Sequence, residues 1–282
     1  MSRTMFSEST NLAVKRLVPI DDAMFQKICE NKATIQEIIS TILNQNVKVI
    51  SVIPQDSIGN LQGRSIRLDC LCILENGSYV NVEVQKSDDD DHEERVRYNA
   101  SVITANRTPK GVKFKDITQV IVIYITRFDI FGDNLPIYHI DRVVRETGKI
   151  RSSGFSEIYV NAAVKNYENS LNTNVSDLMD LFVDRNTYNP EKFPNFSNRK
   201  NDFINTEEGE IEMSETLEQY YKQREHDYMM TLLFEGVQDG GVKVSYAAKK
   251  AELSVAEFKK LMVMKGFVLP KRNSRSVASQ TK

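Results

Sequence analysis

The stretch that most constrains this chain runs from Ile66 to Gln85, IRLDCLCILENGSYVNVEVQ. Two β-rich runs flank Glu75-Asn76-Gly77, and each carries an acid on an otherwise alternating strand. Strand side chains alternate faces. Tyr79, Asn81, Glu83 and Gln85 therefore share one face of the second run, and Val80, Val82 and Val84 share the other. In the first run Asp69, Leu71 and Ile73 oppose Leu68, Cys70, Cys72 and Leu74. With the apolar faces given to the core, Asp69, Glu83 and Gln85 are the polar groups able to converge.

The turn decides whether they do. A two-residue Asn76-Gly77 loop pairs Glu75 with Ser78 and sets Asp69 opposite Val84, so the acids fall on opposite faces. A three-residue loop, with Gly77 left-handed as a G1 bulge, pairs Leu74 with Ser78 and Asp69 with Glu83. Asn-Gly by itself favours the shorter turn. The apolar pattern favours the longer one, because only an odd loop or a bulge puts the valines and cysteines on one side. The odd register is the expectation.

Two carboxylates opposed across a strand pair repel, by ~4 kcal/mol at ~4 Å and an effective dielectric of ~20. A hard divalent cation such as Mg²⁺ removes that penalty and is content with a few carboxylates, water and phosphate oxygens. A solvated sheet face with scattered acids fits the bare pattern equally well.

Asp69, a hairpin, then Glu83-Val84-Gln85 resembles the D…ExK motif of the PD-(D/E)XK nucleases, with Gln85 at the lysine position. More narrowly the chain is similar to the Rpn/YhgA-like branch, described as recombination-promoting nucleases or transposases. Asp22-Ala23-Met24-Phe25 resembles its D-x-x-F motif. Arg95-Val96-Arg97-Tyr98-Asn99-Ala100-Ser101 resembles its R-x-R-Y-Y-x-S helix, with Asn99 in place of the second tyrosine. Val120–Ile125 with Phe128-Asp129 resembles the buried strand that follows. The likeness covers roughly residues 17 to 235.

The resemblance implies an α/β, restriction-endonuclease-like core with a mixed central sheet flanked by helices, plus a C-terminal helical appendage. It implies a Mg²⁺-dependent (or Mn²⁺-dependent) DNA endonuclease with catalytic Asp69, Glu83 and Gln85. The metal ligands would be Asp69, Glu83 and the backbone carbonyl of Val84, with Asp22, Arg95 and Tyr98 in support. A glutamine amide can orient water but carries no charge and is no useful base near neutral pH. The alternative is therefore a catalytically impaired DNA-binding or partner-binding protein that keeps the nuclease fold.

Composition narrows the setting. The 282 residues are 40% hydrophobic and 27% charged, enough for one core with appendages. No apolar run approaches the ~18 residues of a membrane span, and the N-terminus lacks a secretory h-region, so a cytoplasmic protein is expected. Three cysteines and three scattered histidines offer neither a disulfide framework nor zinc spacing. Cys70 and Cys72 read as small core hydrophobes. The net charge of −2 is unevenly spread: residues 241–282 carry ten Lys/Arg against two Glu. That basic end suits a phosphate backbone, or equally a solvated tail.

The expected organisation is a loosely ordered 1–17, a nuclease-like domain over 18–212 and a long docking helix over 213–240. A helix-turn-helix-like module over 241–270 and a disordered basic tail over 271–282 follow. Strands are expected at Val47–Pro54, Ile117–Thr126, Pro136–Val144 and Glu157–Ala163, and helices at Ala33–Asn44, Asp91–Asn106 and Ser176–Leu181. The apolar strand after the Asp91 helix makes a βαβ crossover with the hairpin. Residues 184–205, rich in Asn, Pro and Phe, read as irregular. The long helix should dock through Leu217, Tyr220, Tyr221, Tyr228, Leu232 and Leu233. The Asp88–Asp91 run reads as a solvated helix start, with His92 facing solvent. Ser254 and Glu257 spell a capping box, and Lys249, Lys250, Lys259 and Lys260 are the candidate DNA contacts. Self-association into a homodimer is the other use of these helices.

Overall fold

A computed structural model describes residues 6–59, 65–164 and 173–270. The chain divides into two compact units, Met1–Ile58 with Ile66–Tyr220, and Gly59–Ser65 with Tyr221–Lys282.

The first unit opens with α1 (Glu8–Val14), capped by Ser7, and then α2 (Asp22–Cys29) and α3 (Lys32–Ile42). The N-terminal polar stretch is thus partly helical, and Val14 is buried in the core. Asn31 stops one helix and caps the next, its Oδ1 accepting from the Thr34 N–H at 3.0 Å; this satisfies a donor the first turn cannot. Ile35, Ile38, Ile39 and Ile42 fall on one face at helical spacing and are all buried.

The strands follow as β1 (Val49–Pro54), the short pair β2 (Ser57–Ile58) and β3 (Ile66–Arg67), then β4 (Cys70–Leu74) and β5 (Tyr79–Gln85). Helix α4 (His92–Arg107) leads to β6 (Val120–Thr126), β7 (Ile137–Ile140), the ribbon β8 (Val143–Val144) with β9 (Lys149–Ile150), and β10 (Phe155–Asn161). Six strands form one sheet in the order β1-β4-β5-β6-β10-β7, antiparallel at its β1-β4-β5 and β10-β7 ends and parallel across β5-β6-β10. Every residue of β6 is buried, as expected for a strand paired on both edges and covered on both faces. The β5-α4-β6 crossover is present.

One face of the sheet packs Cys70, Cys72, Val82 and Val84 with α2, α3, α5 (Thr173–Val183) and α6 (Pro194–Asn205). The other packs Leu71, Val122 and Tyr124 with Val96, Ala100 and Ile103 of α4. Each fully buried aliphatic side chain contributes roughly 1.5–3 kcal/mol. Leu68 joins the α4 side rather than the Cys70 side expected from strict alternation, because the chain bends between β3 and β4.

Helix α6 lies where an irregular segment was expected. Its Asn-rich sequence is a weak helix former, but Pro194 suits the first turn, and Phe196 and Phe203 are buried on the core; packing overrides propensity. Helix α7 (Glu207–Gln238) begins earlier than its apolar pattern suggests. Met213 and Leu217 belong to the first unit's core, whereas Tyr221, Tyr228 and Leu232 are largely exposed.

In the second unit Met230, Phe234 and Val237 of α7 make a small core with α8 (Val244–Lys250) and α9 (Val255–Met264). The expected Ser254–Glu257 capping box is formed. The expected disorder of 271–282 lies outside the described residues. Among the described residues no helix is long and apolar enough to cross a membrane.

Candidate active site

The hairpin between β4 and β5 has the odd register. The Leu74 N–H donates to the Ser78 carbonyl at 2.9 Å, the Gly77 N–H donates to Leu74, and Gly77 has φ +85°. Glycine takes that left-handed backbone without steric cost. Cys70 pairs with Val82 at the end of the ladder; the same register continued one step sets Asp69 against Glu83, and the Asp69 backbone hydrogen-bonds the Glu83 carboxyl.

Asp69 sits where the strands part. Its carbonyl still accepts from Gln55, but the Leu68 N–H has turned to Asp56. The Val84 N–H, which regular pairing would have given to Leu68, instead donates to Asp69 Oδ2 at 3.0 Å. One residue's N–H and C=O point to the same neighbour in an antiparallel pair, so the Val84 carbonyl is turned toward this fork as well.

Glu83 is 7% exposed. Its Oε1 accepts from Asn81 Nδ2 at 2.7 Å and Asn99 Nδ2 at 3.4 Å. Burial pushes its carboxyl well above the usual carboxylate range, and the Asp69 charge adds to that. Asp69 is pushed up to about 7, first by burial and further by Asp22, against the hydrogen bond from Val84 and the charges of Arg67 and Arg95. The pair holds protons that ordinary acids release, since two adjacent buried charges are unfavourable.

Around the pair, Gln85 Nε2 donates to the Ser87 carbonyl at 2.8 Å and to Asp89 Oδ2 at 3.1 Å, and its Oε1 accepts from Arg95 at 3.4 Å. Arg95 also grips Asp91 at 2.9 Å and acts electrostatically on both site carboxyls. The acids of the 88–91 run thus anchor Gln85 and Arg95. Asp22, exposed at the start of α2, accepts from the Tyr220 hydroxyl at 2.7 Å. Neighbouring Asp21 pairs with Lys86 at 2.6 Å, so Lys86 is turned toward α2, as alternation required. Tyr98 is half-buried against the α4-side core. Lys249, Lys250, Lys259 and Lys260 are exposed in the second unit.

Three partners were not legible beforehand. Asn99, the departure from the resembled helix motif, lies one residue past Tyr98 and reaches Glu83. Asn81 lies two residues before Glu83 on the same strand face, the only hint the sequence held. His92 is buried rather than solvent-facing: Nδ1 lies 3.1 Å from the Tyr124 hydroxyl and Nε2 lies 3.0 Å from Asp88 Oδ1. The ring fits there because Phe128, 4.9 Å away, and Tyr124 form an aromatic wall for it.

Among the described residues no three His, Cys, Asp or Glu side chains gather into a metal-holding cluster. Two opposed carboxyls remain, with a backbone carbonyl aimed at the same fork. Mg²⁺ takes one or two carboxylates and fills its other positions with water and phosphate oxygens, so the donor set fits such an ion.

A family model described as PD-(D/E)XK nuclease family transposase matches residues 21–231. No curated protein and no solved structure matches the chain.

Proposed function

Because the chain belongs to the PD-(D/E)XK nuclease family of transposases, we propose that it is a metal-dependent DNA endonuclease that hydrolyses phosphodiesters. The observation that carries this reading is the opposition of Asp69 and Glu83 at the strand fork, both driven by burial to hold protons. Asp69, Glu83 and the Val84 carbonyl would hold Mg²⁺ or Mn²⁺. Such an ion, when bound, neutralises charge on the scissile phosphate and acidifies a water molecule. The two carboxyls give up their protons when the ion is held, and Asn81 and Asn99 fix the Glu83 rotamer. Arg95 supplies the positive charge that Gln85 cannot, since it is the cation coupled to both carboxyls. Gln85 tethers the Ser87–Asp89 loop beside the site, while Asp22, held by Tyr220, acts on Asp69 only through its charge. The family resemblance points to transposition or recombination as the process. A cytoplasmic setting suits three free, buried cysteines.

A second reading, a DNA-binding or partner-binding protein without cleavage, is favoured by the Gln85 amide, whose bonds go to Ser87 and Asp89. Incubating supercoiled plasmid with the full chain in Mg²⁺ or EDTA, beside Asp69→Ala and Glu83→Ala, separates the two. Nicking that needs the ion and both acids is expected. Nicking that survives either substitution would sink the assignment, and retarded but uncut plasmid would favour the second reading.

A further inference from the structure

The second unit carries a helix with an exposed basic face on a small three-helix core. Gly240, at φ +78°, ends α7, and α8 begins after Lys243. Ala247 and Ala248 are fully buried; side chains this small let α8 lie close against its neighbours. Four residues, Ala251 to Ser254, connect α8 to α9. Glu252 takes the left-handed backbone at φ +56°, the Leu253 N–H donates to the Ala248 carbonyl at 3.0 Å, and Ser254 caps α9 with Glu257 closing the box. Phe258 and Met262 point inward, with Phe234 and Phe258 ring centroids 5.0 Å apart. A helix pair joined by a tight three- or four-residue turn over a shared apolar core is the helix-turn-helix arrangement.

The outward stripe of α9 consists of Ala256, Lys259, Lys260 and Val263, all exposed. Lys249 and Lys250 are exposed at the end of α8. None of these four lysines makes an ion pair among the described residues. Six lysines and two glutamates occupy residues 241–270, and the Glu257 carboxylate is engaged by the Ser254 N–H. The exposed face is therefore cationic, with small apolar groups between the charges. The B-DNA major groove admits a helix of this kind, where lysine can donate to guanine O6 and N7 and small apolar groups meet thymine methyls.

We propose that α8 and α9 are a sequence-reading helix-turn-helix for duplex DNA. Helix α9 enters the major groove, with Ala256, Lys259, Lys260 and Val263 toward the bases and Lys249 and Lys250 on phosphates. This deepens the nuclease reading, because it gives the acidic site a means of choosing where it acts.

The test selects bound duplexes from a randomised pool with full-length protein in EDTA, then measures affinity by fluorescence anisotropy. One enriched motif is expected, bound at least about tenfold more tightly than a scrambled duplex. Lys260→Ala should reduce that ratio about tenfold. The Lys249→Ala, Lys250→Ala double variant should weaken both duplexes alike and reduce the slope of log affinity against log salt by about 2. Ala256→Glu, which sets a negative charge in the groove, should abolish selection. Circular dichroism must show parental helix content in each variant; if Lys260→Ala fails that criterion, Lys260→Gln replaces it. No enriched motif, or a ratio unmoved by Lys260→Ala and Ala256→Glu, would overturn the proposal. So would α9 variants that change only the subunit number in sedimentation. Motif binding by a chain that never nicks DNA would defeat the nuclease reading alone, and nicking without a motif would defeat this one alone.

Discussion

The two faces of the central sheet are built from the same strands and differ in kind. Toward α2, α3 and α5, β4 and β5 present cysteines and valines with no polar strand side chain among them. Toward α4 the same strands bury Asn81 and Glu83, and Asn99 of α4 donates to Glu83. Apolar burial needs no specific partner, so the first face tolerates any well-packed hydrophobe. A buried polar group must find its hydrogen bonds, and a buried acid must also find a counter-charge or keep its proton. A chain gains no stability by spending one face this way. The second face is therefore the one that carries the proposed site, and the first is an apolar face of the core. The thiols agree: burial raises Cys29, and bonding to Cys29 together with burial raises Cys70, so both are inert packing groups.

The largest effect expected from breaking this contrast follows from moving an acid to the wrong face. Val82→Asp buries an unpaired charge among aliphatics and should cost about 3–5 kcal/mol. It would be read as a drop in thermal midpoint or as loss of soluble protein. Glu83→Leu, on the next residue but the opposite face, should raise the midpoint in EDTA at pH 8 while abolishing nicking. Equal destabilisation by the two substitutions would mean that the faces do not differ as described.

The pH dependence sharpens the same point. Asp69 is raised to about 7 from an ordinary value of about 3.9, and Glu83 shifts in the same direction. Between these limits the folded chain binds a proton that the unfolded chain has released, so stability falls as pH rises through roughly 4 to 7. Melting in EDTA across that window should show the decline. Asp69→Asn with Glu83→Gln should flatten it, and Mg²⁺ at pH 8 should restore the midpoint of the parent but not of that double variant.

A smaller change is expected for Asn99→Ala. It removes one donor from Glu83 and leaves the carboxylate otherwise held, so nicking should slow several-fold rather than vanish. An unchanged rate would remove Asn99 from the site. The smallest effect belongs to Lys86→Ala. Its pair with Asp21 is half exposed to water, and such pairs contribute less than about 1 kcal/mol. Stability and nicking should both stay near the parent's, and a large loss of nicking would instead make Lys86 part of the chemistry.

Much of the frame was readable because it rests on local patterns. The odd hairpin follows from where valines and cysteines must point, the crossover from a wholly apolar β6, and the α9 cap from Ser254 and Glu257. The misses share another cause. Helix α6 forms against its Asn-rich composition because Phe196 and Phe203 find a core supplied by distant segments. Burial of His92 depends on Tyr124 and Phe128, more than thirty residues away. Tyr228 and Leu232 looked like docking residues because helical spacing gives a stripe without saying which of its members end up exposed.

What the sequence pointed to by itself is the odd hairpin register, with Leu74 against Ser78, since the two-residue period favours a turn or bulge that keeps the apolar side chains together. What only the tertiary structure decided is the state of Asp69 and Glu83. The burial of Glu83, its donors Asn81 and Asn99, the Val84 N–H on Asp69 and the charge of Arg95 come in part from segments whose meeting no local pattern specifies. Proton affinity is set by everything within a few ångströms, and in a folded chain most of that is remote in sequence.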